Sequence, residues 1–241
     1  MLILIALSLI SDTAYVRKQL LKSDSLYLES YKDTIFFNKA EQILDELILD
    51  SKVMLDEIFW RKSHLCFERG CSLEERTRKK KWYQGGEKIA KFAIEKNPDN
   101  PEAHFWFALN KGAVGKLNGV LNSLFMVDDL RSEANKVIEL NPDHAGAYMI
   151  LGEIYKSLPG FFGGDKKKAI EEFKTTLEKD SIYTAVYISL AETYRDIGEI
   201  EKAKETINKL LSLKESRDIR RFELYDKKDA EKLLKEIEEG K

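Results

Sequence analysis

Tyr148-Met149-Ile150-Leu151-Gly152-Glu153-Ile154-Tyr155 and Tyr187-Ile188-Ser189-Leu190-Ala191-Glu192-Thr193-Tyr194 follow one pattern. A bulky residue opens it, leucine and a small residue follow at i+3 and i+4, and tyrosine closes it at i+7, which is one face of a helix. The same opening stands at two earlier rings, so that Trp60, His104, Tyr148 and Tyr187 fall 44, 44 and 39 residues apart. A period in this range predicts a helical repeat array, each unit burying its apolar face against its neighbours. Arrays of this kind present extended binding surfaces and seldom do chemistry.

Helical periodicity runs from about residue 14 to the end, and no two-residue alternation competes with it. Asn97-Pro98-Asp99-Asn100-Pro101 and Asn141-Pro142-Asp143 are each a stop followed by a start. Proline cannot continue a helix, while Asp or Asn caps the next one. Asp180-Ser181 stands at the equivalent place without the proline. Counted from these stops, each unit has two helices. The spacing predicts helices over about 145–157 and 166–179, then over 184–197 and 200–211 with Gly198 between them. Small residues fall where helices must approach closely: Ala108, Gly152 and Ala191 in the first helix of a pair, Ala169 and Ala203 in the second. Leu151, Phe173, Leu190, Ile207 and Leu210 fill between them. Ala40, Leu44 and Leu47 read as the second helix of a degenerate earlier unit. Ala230, Leu233, Leu234 and Ile237 form a stripe on a last helix, which is expected to cover the apolar edge of the final repeat.

These residues resemble the tetratricopeptide repeat (TPR), whose unit of about 34 residues has a bulky-x-x-Leu-Gly/Ala-x-x-Tyr helix, a small residue opening the second helix and a closing proline. Tyr187, Leu190, Ala191, Tyr194, Gly198, Ala203 and Ile207 match it without gaps. The unit before has five extra residues between its helices, and the two before that have ten. The resemblance covers about residues 38–212 and implies an all-α fold, a TPR-like right-handed α-solenoid of helix-turn-helix repeats with a capping C-terminal helix. The expected division is 1–14 as a signal peptide or N-terminal lead-in and 15–57 as N-terminal helices with a degenerate repeat. Repeats follow over 58–213 (58–98, 101–142, 145–180 and 184–213), then a linker and capping helix over 214–241. A narrower likeness lies in Ala103-His104-Phe105-Trp106-Phe107-Ala108, in Gly112 to Gly119 and in Leu158-Pro159-Gly160-Phe161-Phe162-Gly163-Gly164-Asp165. These resemble a bacterial TPR subgroup that includes the periplasmic T-component proteins of TRAP-type solute transporters. Trp60-Arg61 and Ala103 to Trp106 are more distantly similar to the regulators of microtubule dynamics.

In such arrays the first helices of the pairs line the concave face. Carried over position by position, that face holds Arg61, Leu65 and Glu68, then Glu102, Phe105 and Leu109. It continues with Met149, Glu153 and Lys156, then Ile188, Glu192 and Arg195. Apolar and charged groups in alternation suit an extended peptide or an amphipathic helix better than a small ion. The resemblance therefore implies a non-enzymatic scaffold without a cofactor, binding a protein, peptide or ligand. A transporter substrate-binding protein is the partner that the narrower likeness implies, and a homo-oligomer stays open.

Charged residues make up 34% of the 241, with four prolines, as expected of a helical, heavily ion-paired surface like those of thermophiles. A net charge of −2 leaves no overall basic field for nucleic acid or anionic lipid. Arg76-Thr77-Arg78-Lys79-Lys80-Lys81, preceded by Glu74-Glu75, reads as a solvated helix face. Leu2 to Ile10 is an apolar run too short to span a bilayer, which takes about 20 residues. It has the length of a signal-peptide core, with Ser11 to Ala14 as a cleavage region, although no Lys or Arg precedes it. Export to the periplasm or cell envelope is the expectation; a cytoplasmic adaptor whose first residues pack on the array is the alternative. No lipid-attachment cysteine follows the run, so a lipoprotein anchor is not expected.

Cys66 and Cys71 exclude a disulfide framework and are either bridged or two separate thiols. His64, Cys66 and Cys71 invite a metal reading, and with neighbouring carboxylates a metal-dependent enzyme using His64 and Cys66; this is the least favoured alternative, because on a helix His64 and Cys66 point about 200° apart. No metal site is expected. His104, at the bulky position of its unit, reads as a packed core or rim histidine. The glycines around Phe161 and Phe162 lack the Gly-Lys-Ser/Thr of a phosphate loop. That segment reads as a long turn with Asp165 as N-cap, as a lip carrying two loop aromatics over the binding surface, or as both.

Overall fold

The computed structural model describes residues 2–119 and 124–240, the side chains of 2–11 excepted. Among the described residues the chain is all-α and TPR-like, and it divides into two compact units, 1–126 and 127–241. Unit 1 holds α1 (Leu2–Glu29), α2 (Thr34–Asp50), α3 (Leu55–Cys71), α4 (Arg76–Lys96) and α5 (Pro101–Asn118). Unit 2 holds α6 (Val127–Leu140), α7 (Ala145–Ser157), a 3-10 turn (Gly160–Phe162), α8 (Lys166–Lys179), α9 (Thr184–Asp196) and α10 (Ile200–Ser212). A helical turn (Ile219–Arg221) and a π-helical turn (Phe222–Asp226) then lead into α11 (Lys227–Glu238). The division at 126/127 falls inside the stretch read as one repeat, 101–142. No helix among the described residues is long and apolar enough to cross a membrane. The backbone of the Leu2 to Ile10 run belongs to α1; its side chains lie outside the described residues.

Each unit has its own apolar core. In unit 1, Val16, Leu20 and Tyr27 of α1 pack with Phe37, Ala40, Leu44 and Leu47 of α2 and with Ile58 and Leu65 of α3. In unit 2, Ala169 and Phe173 of α8 pack with Tyr187, Leu190 and Ala191 of α9 and with Ala203, Ile207 and Leu210 of α10. The core continues through Phe222, Ala230, Leu233 and Ile237, so α11 covers the last repeat as the stripe requires. Burying large side chains such as Phe222, Leu233 and Ile237 is worth roughly 1.5–3 kcal/mol each. Phe222 and Asp226, four apart in the π turn, lie together on its buried face. Thr184 Oγ1 donates to Asp226 Oδ2 (2.6 Å), and Arg221 Nε lies 3.3 Å from Oδ1. Burial pushes the Asp226 carboxyl up, against the pull of Arg221 and Thr184.

The ring at the head of each repeat has a specific task. Asn97, Asn141 and Asp180 end their helices, and each side chain accepts from the N–H two residues on, at 3.1 Å in all three turns. The carbonyl of the next residue then accepts from the ring seven positions after the stop. His104 Nε2 donates to Pro98 (2.8 Å), Tyr148 Oη to Pro142 (3.0 Å) and Tyr187 Oη to Ser181 (2.8 Å). A carbonyl can only accept, so His104 carries its proton on Nε2. What this turn module needs at the acceptor position is a carbonyl, which explains why Ser181 serves without a proline. Trp60 departs from the set. Its turn from Ser51 is two residues longer, with Met54 at φ 53°, and its Nε1 donates to Glu57 instead. Tyr187→Phe is expected to cost about 1 kcal/mol, and Tyr148→Phe, at a more exposed hydroxyl, less. Urea titration of the two variants checks the order.

Candidate functional site

In unit 2, α7 and α9 present the same polar edge because both carry Glu at the position after the small residue, Glu153 after Gly152 and Glu192 after Ala191. Gly152 and Ala191 are buried, and the carboxylates beside them are half-buried. Ser189 Oγ donates to Glu153, Lys156 pairs with Glu192 and stands 4.0 Å from Glu153, and Arg195 pairs with Glu236 of α11 at 3.2 Å. The result is a row of alternating charge across α7, α9 and α11, with Met149 and Ile188 half-buried against the core. Lys156 is only 15% exposed beside carboxylates at 24% and 37%, so its pairs are partly shielded from water and hold more strongly than an open surface pair. Repeat spacing alone does not point to Ser189 or Glu236. Glu236 sits on the capping helix, and only the packing of α11 on α9 brings it here.

Unit 1 does not repeat this. Of the residues expected on its open face, Leu65, Glu68 and Phe105 are buried, while Glu102 and Leu109 are half-buried. Arg61 Nε donates to both oxygens of Asp24 (2.9 and 3.0 Å), and its Nη1 pairs with Glu57 (2.7 Å) while the guanidinium lies on Trp60. The reason is α1. Asp24 and Tyr27 of that helix meet Arg61 and His64, so α3 is covered where a bare repeat would be open. Farther along, Lys62 pairs with Glu41 (3.1 Å) and Asp45 (2.6 Å), and Arg69 pairs with Glu41 (2.8 Å), tying α2 to α3. Burial alone would raise the Glu41 carboxyl, but its hydrogen bond to Arg69 and the charge of Lys62 hold it below the usual carboxylate range. A lowered folded value gives stability that is present above the unfolded value and lost as pH falls through the folded one. Glu41→Gln is therefore expected to lower the melting temperature at neutral pH, with the gap to wild type closing in acid; thermal melts across pH check this.

Phe161 and Phe162 stand out to solvent, 82% and 49% exposed, with ring centroids 4.3 Å apart. Gly163 takes φ 88°, and a Cβ on Gly164 would lie 1.8 Å from the Leu158 carbonyl oxygen. Asp165 caps α8 from the same loop, accepting from the N–H groups of Lys167 and Lys168. The turn reading accounts for this geometry, and the two rings are left as an accessible apolar tip.

Cys66 is buried, and burial pushes its thiol up to about 12. The His64 ring is stacked on Trp106 (4.0 Å) with Tyr27 edge-on (4.5 Å). Neither Cys66 nor Cys71 is in a disulfide, and Tyr83 Oη donates to Cys71 Sγ at 3.6 Å.

Residues 19–155, more than half of the chain, match the family described as regulator of microtubule dynamics protein 1-3. Residues 184–217 match the tetratricopeptide repeat. Regulator of microtubule dynamics protein 3 of Rattus norvegicus is 22% identical over 192 residues, 71% of this chain and 40% of that protein. Regulator of microtubule dynamics protein 2 of the same species is 25% identical over 226 residues, 85% of this chain and 53% of that one. The chain thus spans about half the length of these curated relatives, or less. In fold it is similar to a thermophilic TPR protein of Thermus thermophilus, with a TM-score of 0.68 over 91% of this chain and 99% of that one, at 15% identity.

Proposed function

The chain belongs to the family of regulator of microtubule dynamics protein 1-3, and from that premise we propose that it is a non-enzymatic scaffold binding a protein partner. The binding edge is the charged row of α7 and α9. The observation that carries this reading is the alternation of Glu153, Lys156, Glu192 and Arg195, half-exposed, with Lys156 between the two glutamates and Arg195 paired to Glu236, above the buried small residues of two successive repeats. An extended or helical segment with alternating charge and an apolar residue over Met149 and Ile188 fits this row. The name of the relatives supports a partner among microtubule-associated proteins. A photo-crosslinking amino acid at Ile188, compared with one at the exposed Glu205 of α10, tests the site in the source cells. The reading expects a discrete protein adduct at 188 and none at 205; adducts confined to 205 would contradict it.

A second reading is supported by the apolar Leu2 to Ile10 run and by the likeness of the Leu158 to Asp165 loop to TRAP T-component proteins. It has the same scaffold exported to the cell envelope, beside a transporter's substrate-binding protein. Loss of about fourteen N-terminal residues in an envelope fraction is its expected result; a full-length mass in the cytosol contradicts it.

A further inference from the structure

We infer that α4 carries a second docking surface, independent of the α7/α9 row, for a short acidic peptide. The helix holds Arg76, Arg78, Lys79, Lys80, Lys81, Lys88, Lys91 and Lys96 against only Glu87 and Glu95. In a chain with 42 acidic and 40 basic residues, that is a local excess the rest of the sequence offsets elsewhere. The buried side of α4 is Tyr83, Gly86, Ala90 and Ala93, which turns Arg78, Lys81, Lys88 and Lys91 to solvent. Among the described residues, none of these four has a carboxylate within ion-pairing distance. This contrasts with Arg61, Lys62 and Arg69 of the neighbouring α3, which are all paired. Those three are 11–27% exposed against neighbouring helices, where a buried charge needs a partner, whereas the α4 stripe faces water with its charge uncompensated.

The geometry selects the partner. At about 1.5 Å per residue, Arg78 to Lys91 spans roughly 20 Å in a line one helix wide. Exposed Glu74 and Glu75 close that line at one end and exposed Glu95 at the other. A continuous polyanion such as nucleic acid, or an anionic membrane plane, would run its charge onto those carboxylates; a segment of about six extended residues would not. Phe92, 50% exposed and 6.0 Å from Phe59, lies beside Lys88 and Lys91 and offers an apolar contact at that end of the stripe. The peptide that fits has acidic side chains along its length and one apolar residue at the Phe92 end.

Fluorescence anisotropy of labelled hexaglutamyl-leucine against the full chain tests this. The expected result is saturable binding at low salt (about 20 mM) that weakens about tenfold by physiological ionic strength. Lys81→Glu with Lys88→Glu should weaken it about tenfold or more, as should Lys81→Gln with Lys88→Gln, both with unchanged melting. Lys167→Glu with Lys168→Glu on α8 should leave it unchanged. Absent binding at low salt, or equal loss in the α8 variant, overturns the proposal. Tighter binding of single-stranded DNA or phosphatidylserine vesicles, lost in the α4 variants, overturns it too by assigning the stripe to another polyanion.

Discussion

Gly86→Ala is expected to destabilise unit 1 by about 3 kcal/mol, while Gly85→Ala, one residue away, is expected to stabilise it by roughly 0.5–1 kcal/mol. A Cβ on Gly86 would lie 2.3 Å from Asn110 Oδ1 and 2.5 Å from its Cγ. Asn110 cannot give way, because it is fully buried and its Nδ2 donates to the Ser63 carbonyl (3.3 Å), Ser63 Oγ (3.0 Å) and the Trp106 carbonyl (3.0 Å). Ser63 Oγ in turn donates to the Gly86 carbonyl at 2.9 Å. Displacing Asn110 therefore breaks a buried polar network joining α3, α4 and α5, at the cost of leaving its groups unpaired. Gly85 faces open space, so alanine there brings only its better helix propensity. Urea titration of both variants reads the two signs, and a neutral Gly86→Ala would contradict the packing described.

Phe173→Ala is expected to cost unit 2 about 4 kcal/mol, because the ring is completely buried at the centre of the core that α8, α9, α10 and α11 share. The ring also fills the space that Gly152 leaves: a Cβ there would lie 2.4 Å from Phe173 Cε1. Gly152→Ala alone is therefore expected to destabilise by roughly 1–3 kcal/mol, yet to cost nothing or to stabilise in the Phe173→Ala background. A double-mutant cycle measures this coupling. Simple additivity would mean that the two residues do not share one space.

The helix pairs are legible in the sequence because their stops are local chemistry. Ala145–Ser157 and Lys166–Lys179 lie where the spacing places them, and Thr184–Asp196 and Ile200–Ser212 differ by one residue at their ends. Small and large core positions are legible too, since Gly152, Ala169, Phe173, Ala191 and Ala203 are all buried. The turn module is only half visible: the asparagine and the ring can be seen, but not that the ring donates to the carbonyl after the stop. The face of unit 1 differs from expectation for another reason. Repeat arithmetic assigns positions within α3 and α5 but says nothing of α1, which has no repeat pattern and lies over Arg61 and His64. Glu236 escapes for the same reason, since a residue on a capping helix reaches the row only through tertiary packing. The α4 stripe is visible as charge, but whether those charges are paired depends on which carboxylates the neighbouring helices bring.

The central claim is that the protein works by holding a protein partner on the α7/α9 row. Quantitative affinity capture from source-cell extract, comparing wild type with the Lys156→Glu/Arg195→Glu variant at matched stability, tests it most directly. Loss of a defined set of captured proteins in the variant, with the rest unchanged, is the predicted result. Recovery of the same proteins in the same amounts by both would contradict the account.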